Sequence, residues 1–146
     1  MSEPTVIIDT GPLLALLVER EGRHSWASET ASKLIMPFIT SESVMTEACF
    51  LLEREGLPVE PLFELLEIEA VIIGFDLQAE HSRVSSLMAR FAKLPRNKSM
   101  SLADATLVRL SEIHDRAAVF TFDGDFRIYR KNGRQQIPLI IPESAR

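Results

Sequence analysis

Apolar residues run unbroken from Val6 to Ile8, stop at Asp9, and resume as the leucine-rich stretch from Leu13 to Leu17 behind Gly11 and Pro12. Three β-branched side chains in a row predict a strand buried on both faces, and the glycine and proline predict a turn into a helix. Ser25–Leu34 predicts a second helix, and Met36–Thr40 a short strand broken by Pro37. Thr40 and Ser41 offer caps for a helix to Glu55, with Val44, Ala48, Leu51 and Leu52 as its buried stripe and Gly56 as its stop. Pro61 opens another short helix, "EAVIIGF" (Glu69–Phe75) predicts a buried strand, and Ala79–Ala92 predicts a helix whose Arg83 and Arg90 share a face. After a loop with Pro95, "SLADATLVRLSEIH" predicts a helix with Ser101 and Asp104 at the spacing of a capping box. "AVFTF" is a strand, Asp123-Gly124-Asp125 a turn, and a short basic helix leads to a last strand, "IPLII". Strands separated by one or two helices imply right-handed crossovers, hence a three-layer α/β/α fold around a mostly parallel sheet of about five strands.

Composition narrows this to one domain spanning residues 1–146, because a chain of 146 residues with 46% apolar content builds one core and lacks room for a second of normal size. The single cysteine, Cys49, excludes an internal disulfide framework and a multi-thiolate zinc site, and reads as core packing in a reducing compartment. The N-terminus lacks a leader pattern, and no apolar run approaches the roughly 18 residues that span a bilayer. The expectation is a cytoplasmic protein with no membrane partner.

Net charge is −5, from 16 basic and 21 acidic residues, which disfavours indiscriminate nucleic-acid binding. The distribution is uneven. His81–Ala103 holds no acid but carries Arg83, Arg90, Lys93, Arg96 and Lys98, and Phe126–Pro142 holds none but carries Arg127, Arg130, Lys131 and Arg134. Such runs are either solvated faces or a grip on a phosphate backbone.

The acids decide between these. Asp9 and Asp123 both end buried strands at the C-terminal edge of the sheet, where open parallel sheets bind ligands, although Asp9 also suits a helix N-cap. Asp104 lies in the first turn of its helix, favoured there by the macrodipole, and Glu47 borders the apolar stripe of its own helix. Asp125 shapes the turn or joins the group. Carboxylates gathered at one edge repel and need protons or a cation, and oxygen donors select hard cations such as Mg²⁺ or Mn²⁺. The histidines, His24, His81 and His114, have no metal-ligand spacing. Carboxylate-held Mg²⁺ does phosphodiester chemistry by activating water, and the basic residues Arg83, Arg90, Lys93, Arg96, Lys98, Arg127 and Arg130 would then hold the phosphate backbone. No phosphate-binding glycine loop and no GxSxG elbow is present, and Trp26 and Tyr129 are too few for a base-stacking platform.

"IIDTGPLLALL", "TSESVMTEACFLLER", "MSLADATLVRL" and "FTFDGDF", in this order and spacing, make the chain resemble the PIN domain family. Within that family it is similar to the stand-alone VapC-type ribonuclease toxins. The resemblance covers essentially the whole chain. It implies an acidic pocket of Asp9, Glu47, Asp104 and Asp123, with Asp125 as a further metal ligand or a group behind the ligands. It implies Mg²⁺- or Mn²⁺-dependent cleavage of RNA by metal-activated water, leaving 5′-phosphate and 3′-hydroxyl ends. Thr10 and Thr121 stand where a hydroxyl would orient metal or water, with backbone capping as the other role open to each. A homodimer and a small antitoxin covering the pocket are further implications. The alternative is a PIN domain in RNA processing or one that binds RNA or protein without cleaving, against which the four intact acids weigh; the lack of an appended RNA-binding domain favours the toxin. A phosphohydrolase using Asp9 as a covalent nucleophile ranks below both, because Gly11 stands where a second aspartate is wanted.

Overall fold

In the computed structural model, which describes residues 4–143 and Ala145, the first apolar run forms strand β1 (Thr5–Ile8), with Val6, Ile7 and Ile8 all buried. The first three residues, read above for a leader, lie outside the described residues. The other strands are β2 (Phe38–Thr40), β3 (Val71–Ile73), β4 (Ala117–Phe120), β5 (Arg130–Lys131), β6 (Gln135–Gln136) and β7 (Leu139–Ile140). Five of them form a sheet in the order β3-β2-β1-β4-β7, with every pairing parallel. β1 and β4 are its centre, in register from Thr5 opposite Ala117 to Ile8 opposite Phe120.

Parallel neighbours cannot be joined by tight turns, so helices carry the chain back each time. Helices α1 (Thr10–Leu17) and α2 (His24–Ala31) connect β1 to β2, α3 (Glu42–Arg54) and α4 (Glu60–Glu67) connect β2 to β3, and α5 (Leu77–Arg90) and α6 (Leu102–Ile113) lead from the sheet edge back to β4. The result is the three-layer α/β/α arrangement. α6 is the most enclosed helix: Ala105, Thr106, Leu107, Val108, Leu110 and Ser111 are all buried, with β1 and β4 beneath and α3 and α5 beside it. Its buried hydroxyls are satisfied locally, as a dry interior requires. Thr106 Oγ1 donates to the Ala103 carbonyl at 2.7 Å and lies 2.7 Å from Ser41 Oγ, the N-cap of α3.

Several elements differ from expectation: Gly11 and Pro12 lie inside the first turn of α1, which Asp9 caps, rather than in a turn before it, and β7 is two residues rather than the five of "IPLII". β3 is three residues rather than seven and is not fully buried, since it is an edge strand with one neighbour and Ile72 is 39% exposed. The expected basic helix is a single 3-10 turn, Gly124–Arg127, followed by the β5–β6 hairpin, which turns through Asn132 (φ 50°) and Gly133 (φ 87°). Asn-Gly reaches that left-handed region cheaply and favours a hairpin over a helix. Cys49 is half-buried against the core, as expected of a packing residue.

A charged lattice ties this hairpin to α5 and α6. The Glu112 carboxylate accepts from Arg83 Nε at 2.9 Å, Arg83 Nη2 at 2.5 Å, Arg109 Nη1 at 3.2 Å and the Asn132 N–H at 2.6 Å, while Arg109 also donates to Glu80 at 2.6 Å. Burial alone would raise the Glu112 pKa, but Arg83, the Asn132 N–H and Arg109 together bring it below the ordinary glutamate range. The unfolded chain therefore binds this proton more readily, so the lattice stabilises above the ordinary glutamate pKa and fades as pH falls through the lower, folded value. Urea unfolding of Glu112→Gln is expected to show a loss of about 1.5–3 kcal/mol at pH 7. The gap to wild type should narrow at pH 3; a gap of equal size at both values would show that charge on Glu112 is not what the lattice uses.

Candidate active site

Strand order reverses between β1 and β4: the chain leaves β1 toward β2 on one side, and β7 adds beyond β4 on the other. In open parallel sheets the crevice that takes a ligand lies at such a reversal, at the C-terminal ends of the strands; here α1 follows β1 and the 3-10 turn Gly124–Arg127 follows β4. Asp9 lies at this point directly after β1, 8% exposed, and its N–H extends the ladder to the Phe120 carbonyl at 2.9 Å. It is also the N-cap of α1, Oδ1 accepting from the Thr10 N–H at 2.8 Å. Capping and a place in the crevice are thus compatible in one residue.

The other oxygen is held from β4. Thr121 Oγ1, fully buried, donates to Asp9 Oδ2 at 2.6 Å and accepts from the Asp123 N–H at 2.9 Å; Asp123 Oδ1 then accepts from the Asp125 N–H at 2.9 Å. A relay of three hydrogen bonds thereby fixes the segment after β4 against the carboxylate after β1. Gly11 permits this approach, since a Cβ there would come within 2.9 Å of the Phe122 ring.

Asp104 enters from the first turn of α6, which Ser101 caps by accepting from the Asp104 N–H at 3.0 Å. Its Oδ2 accepts from the Tyr129 hydroxyl at 2.7 Å. Tyr129 is wholly buried, edge-on to Phe91 and Phe126 with ring centroids 5.3 and 5.0 Å away. Glu47 is on the exposed side of α3, within electrostatic reach of both Asp9 and Asp104.

These surroundings reshape the acids. Burial raises the Asp9 pKa to about 7 despite the Thr121 hydrogen bond, and the charges of Asp104 and Glu47 add to it. Burial likewise raises Asp104 to about 6 against the Tyr129 hydrogen bond, with Asp123 and Glu47 contributing repulsion. Burial, followed by the charge and hydrogen bond of Asp104, pushes the Tyr129 phenol upward, so it stays a donor. Asp9, Glu47, Asp104 and Asp123 are electrostatic neighbours, yet among the described residues no three acidic, histidine or cysteine side chains close to the spacing of a metal's ligands. In chemistry the donor set suits a hard divalent cation: oxygen only, underneutralised, and adjacent to Thr10 Oγ1, which is buried without a hydrogen-bond partner.

A sequence model of the PIN domain family matches residues 6–132. The chain belongs to the PIN domain family. Among solved structures, Mycobacterium tuberculosis VapC20, a sarcin-ricin loop cleaving toxin, aligns with this PIN domain at a TM-score of 0.71. That alignment has 19% identity and covers 92% of this chain and 99% of the toxin, a likeness in fold. No curated protein sequence matches the chain.

The basic residues of this PIN domain divide into groups. The Arg83 fork is closed on Glu112; Arg127 donates to the Ala145 carbonyl at 2.7 Å, and Arg130 to the carbonyls of residues 127, 128 and 129 at 2.8, 3.1 and 2.9 Å. Arg90 lies over the Phe91 ring at 4.9 Å, and Lys93 is exposed. Arg96 and Lys98 instead reach the acidic edge, 3.6 and 2.9 Å from the buried Asp125 carboxylate. Lys98 approaches Oδ2 off the hydrogen-bond direction, so the contact is chiefly ionic, and that pairing raises the Lys98 pKa. Sequence reading passed over Tyr129 as an isolated aromatic. A tyrosine inside a basic run is the signal that could have pointed to its burial, since one aromatic among charges has an apolar ring to hide and a hydroxyl to satisfy.

Thr121→Val keeps the shape and removes the hydroxyl, leaving Asp9 Oδ2 and the Asp123 N–H without their partner. Unfolding free energy at pH 8 is expected to fall by about 1–3 kcal/mol, with Thr121→Ser close to wild type; equal stability of all three would remove the relay from the account.

Proposed function

We propose that this PIN domain is a Mg²⁺- or Mn²⁺-dependent endoribonuclease, the toxin of a type II toxin–antitoxin module acting in the cytoplasm as a homodimer under a cognate antitoxin. The observation that carries the reading is the pair of carboxylates, buried Asp9 and half-buried Asp104, held above their ordinary range at the reversal of strand order with Asp123 and Glu47 beside them. Family membership and the fold shared with VapC20 support the nuclease class.

Asp9, Glu47, Asp104 and Asp123 are the residues that would hold the ion, which when bound supplies a water nucleophile at neutral pH and offsets phosphate charge. Thr121 and the Thr10 N–H fix both oxygens of Asp9, so its geometry is set before any ligand arrives. Tyr129 does the same for one oxygen of Asp104, and its raised pKa keeps it a protonated donor. Burial keeps bulk water from screening these charges. Arg96 and Lys98, 57% and 46% exposed at the rim, are placed to hold the phosphate backbone against an otherwise acidic edge. Water attack at phosphorus expels the 3′ oxygen and leaves 5′-phosphate and 3′-hydroxyl ends.

End-labelled structured and single-stranded RNAs incubated with Mn²⁺, Mg²⁺ or EDTA test this. Discrete cuts are expected with either ion, none in EDTA, and none with Asp9→Asn or Asp104→Asn proteins that fold as wild type. Cutting that persists in EDTA or in either variant would overturn the mechanism, and a wild type that binds RNA with metal and never cuts it would make the protein a binding scaffold.

A further inference from the structure

The segment between α5 and α6 is built around an unusual backbone. Leu94 and Lys98 pair across a tight bend, the Leu94 N–H donating to the Lys98 carbonyl at 2.9 Å, with Pro95, Arg96 and Asn97 between them. Arg96 and Asn97 both lie in the left-handed region, at φ 66° and 55°, which is unfavourable for a residue with a Cβ. Such a bend persists only when its surroundings fix it. Leu94 and Met100 are buried on either side, 8% and 3% exposed, and the Met100 N–H donates to the Phe91 carbonyl at 3.0 Å. At the tip the fixing contacts are ionic: Arg96 and Lys98 converge on Asp125.

Asp125 is itself immobile. It is 3% exposed, its N–H donates to Asp123 Oδ1, and its carbonyl accepts from the N–H groups of Ile128 at 2.8 Å and Tyr129 at 3.1 Å. A carboxylate already flanked by two cations has its charge met within the protein and has little left to offer an ion.

We infer that Asp125 is a positioning residue rather than a metal ligand: it tethers the loop of residues 94–98 beside the acidic edge, so that Arg96 and Lys98 are presented to the phosphates of the RNA. This rests on the nuclease reading of the same site and assigns one of its acids to substrate placement. Tethering and ligation predict opposite results for Asp125→Asn. Removing a bare negative charge raises affinity for RNA, whereas releasing the loop lowers it.

The experiment uses the wild type, Asp125→Asn and the double variant Arg96→Gln/Lys98→Gln. Mn²⁺ affinity is measured by titration calorimetry without RNA, and retention of an end-labelled structured RNA is measured in EDTA, where no metal-dependent cleavage occurs, over a range of KCl concentrations. Asp125→Asn is expected to keep near-wild-type Mn²⁺ affinity and to lose RNA affinity. The double variant is expected to lose RNA affinity with a salt dependence flatter by about 1 to 2 in log–log slope, as for one or two released phosphate contacts. A drop in Mn²⁺ affinity of about tenfold or more in Asp125→Asn, the scale of losing a residue that serves the metal, overturns the inference, and so does RNA binding at or above the wild-type level. Should Asp125→Asn fail to fold, the double variant decides, because its substitutions are at half-exposed positions: unchanged RNA affinity and slope overturn the inference. A wild type that binds neither Mn²⁺ nor RNA removes the nuclease reading, and the inference with it.

Discussion

Everything at the crevice depends on one hydrogen bond across the centre of the sheet, from Thr121 Oγ1 to Asp9 Oδ2. A buried carboxylate is costly unless it is bonded, and this one follows directly on the central strand of the sheet. The hydroxyl that satisfies it comes from the neighbouring strand and accepts in turn from the backbone of Asp123. The positions of three acidic residues, Asp9, Asp123 and Asp125, are thereby coupled through groups that have no room to move. The parallel register of β1 and β4 sets the distance that makes the bond possible.

Around that bond, the same acids meet two kinds of compensation. Asp9 and Asp104 receive neutral donors, the Thr121 and Tyr129 hydroxyls, which orient without cancelling charge. Asp125 receives cations and is cancelled. The difference divides the edge into a region left electrostatically demanding and a region already balanced. Only the first has reason to recruit charge from solution.

How much of this could be read from the chain depended on range. β1, the Ser41 and Ser101 caps and the parallel sheet follow from local pattern, because β-branched runs and capping residues act on their immediate neighbours. Asp9 and Asp123 were visible as polar breaks at strand ends. Arg83 and Arg96 look alike in sequence, each a basic residue in an acid-free run. Their fates were set by carboxylates distant in the chain, Glu112 for one and Asp125 for the other. The Tyr129 to Asp104 contact likewise spans 25 residues and leaves no periodic trace. The Asn132-Gly133 turn was a local signal, overridden by reading the basic run around it as a helix.

The partners in the Thr121 to Asp9 bond are 112 residues apart. During synthesis Asp9 stays without its partner until the 112 residues that follow it have been made. A partial chain that ends before Thr121 has β1 and β4 but lacks the group that fixes Asp9. Order of translation therefore makes the site a late product of folding, completed after most of the helices are already in existence.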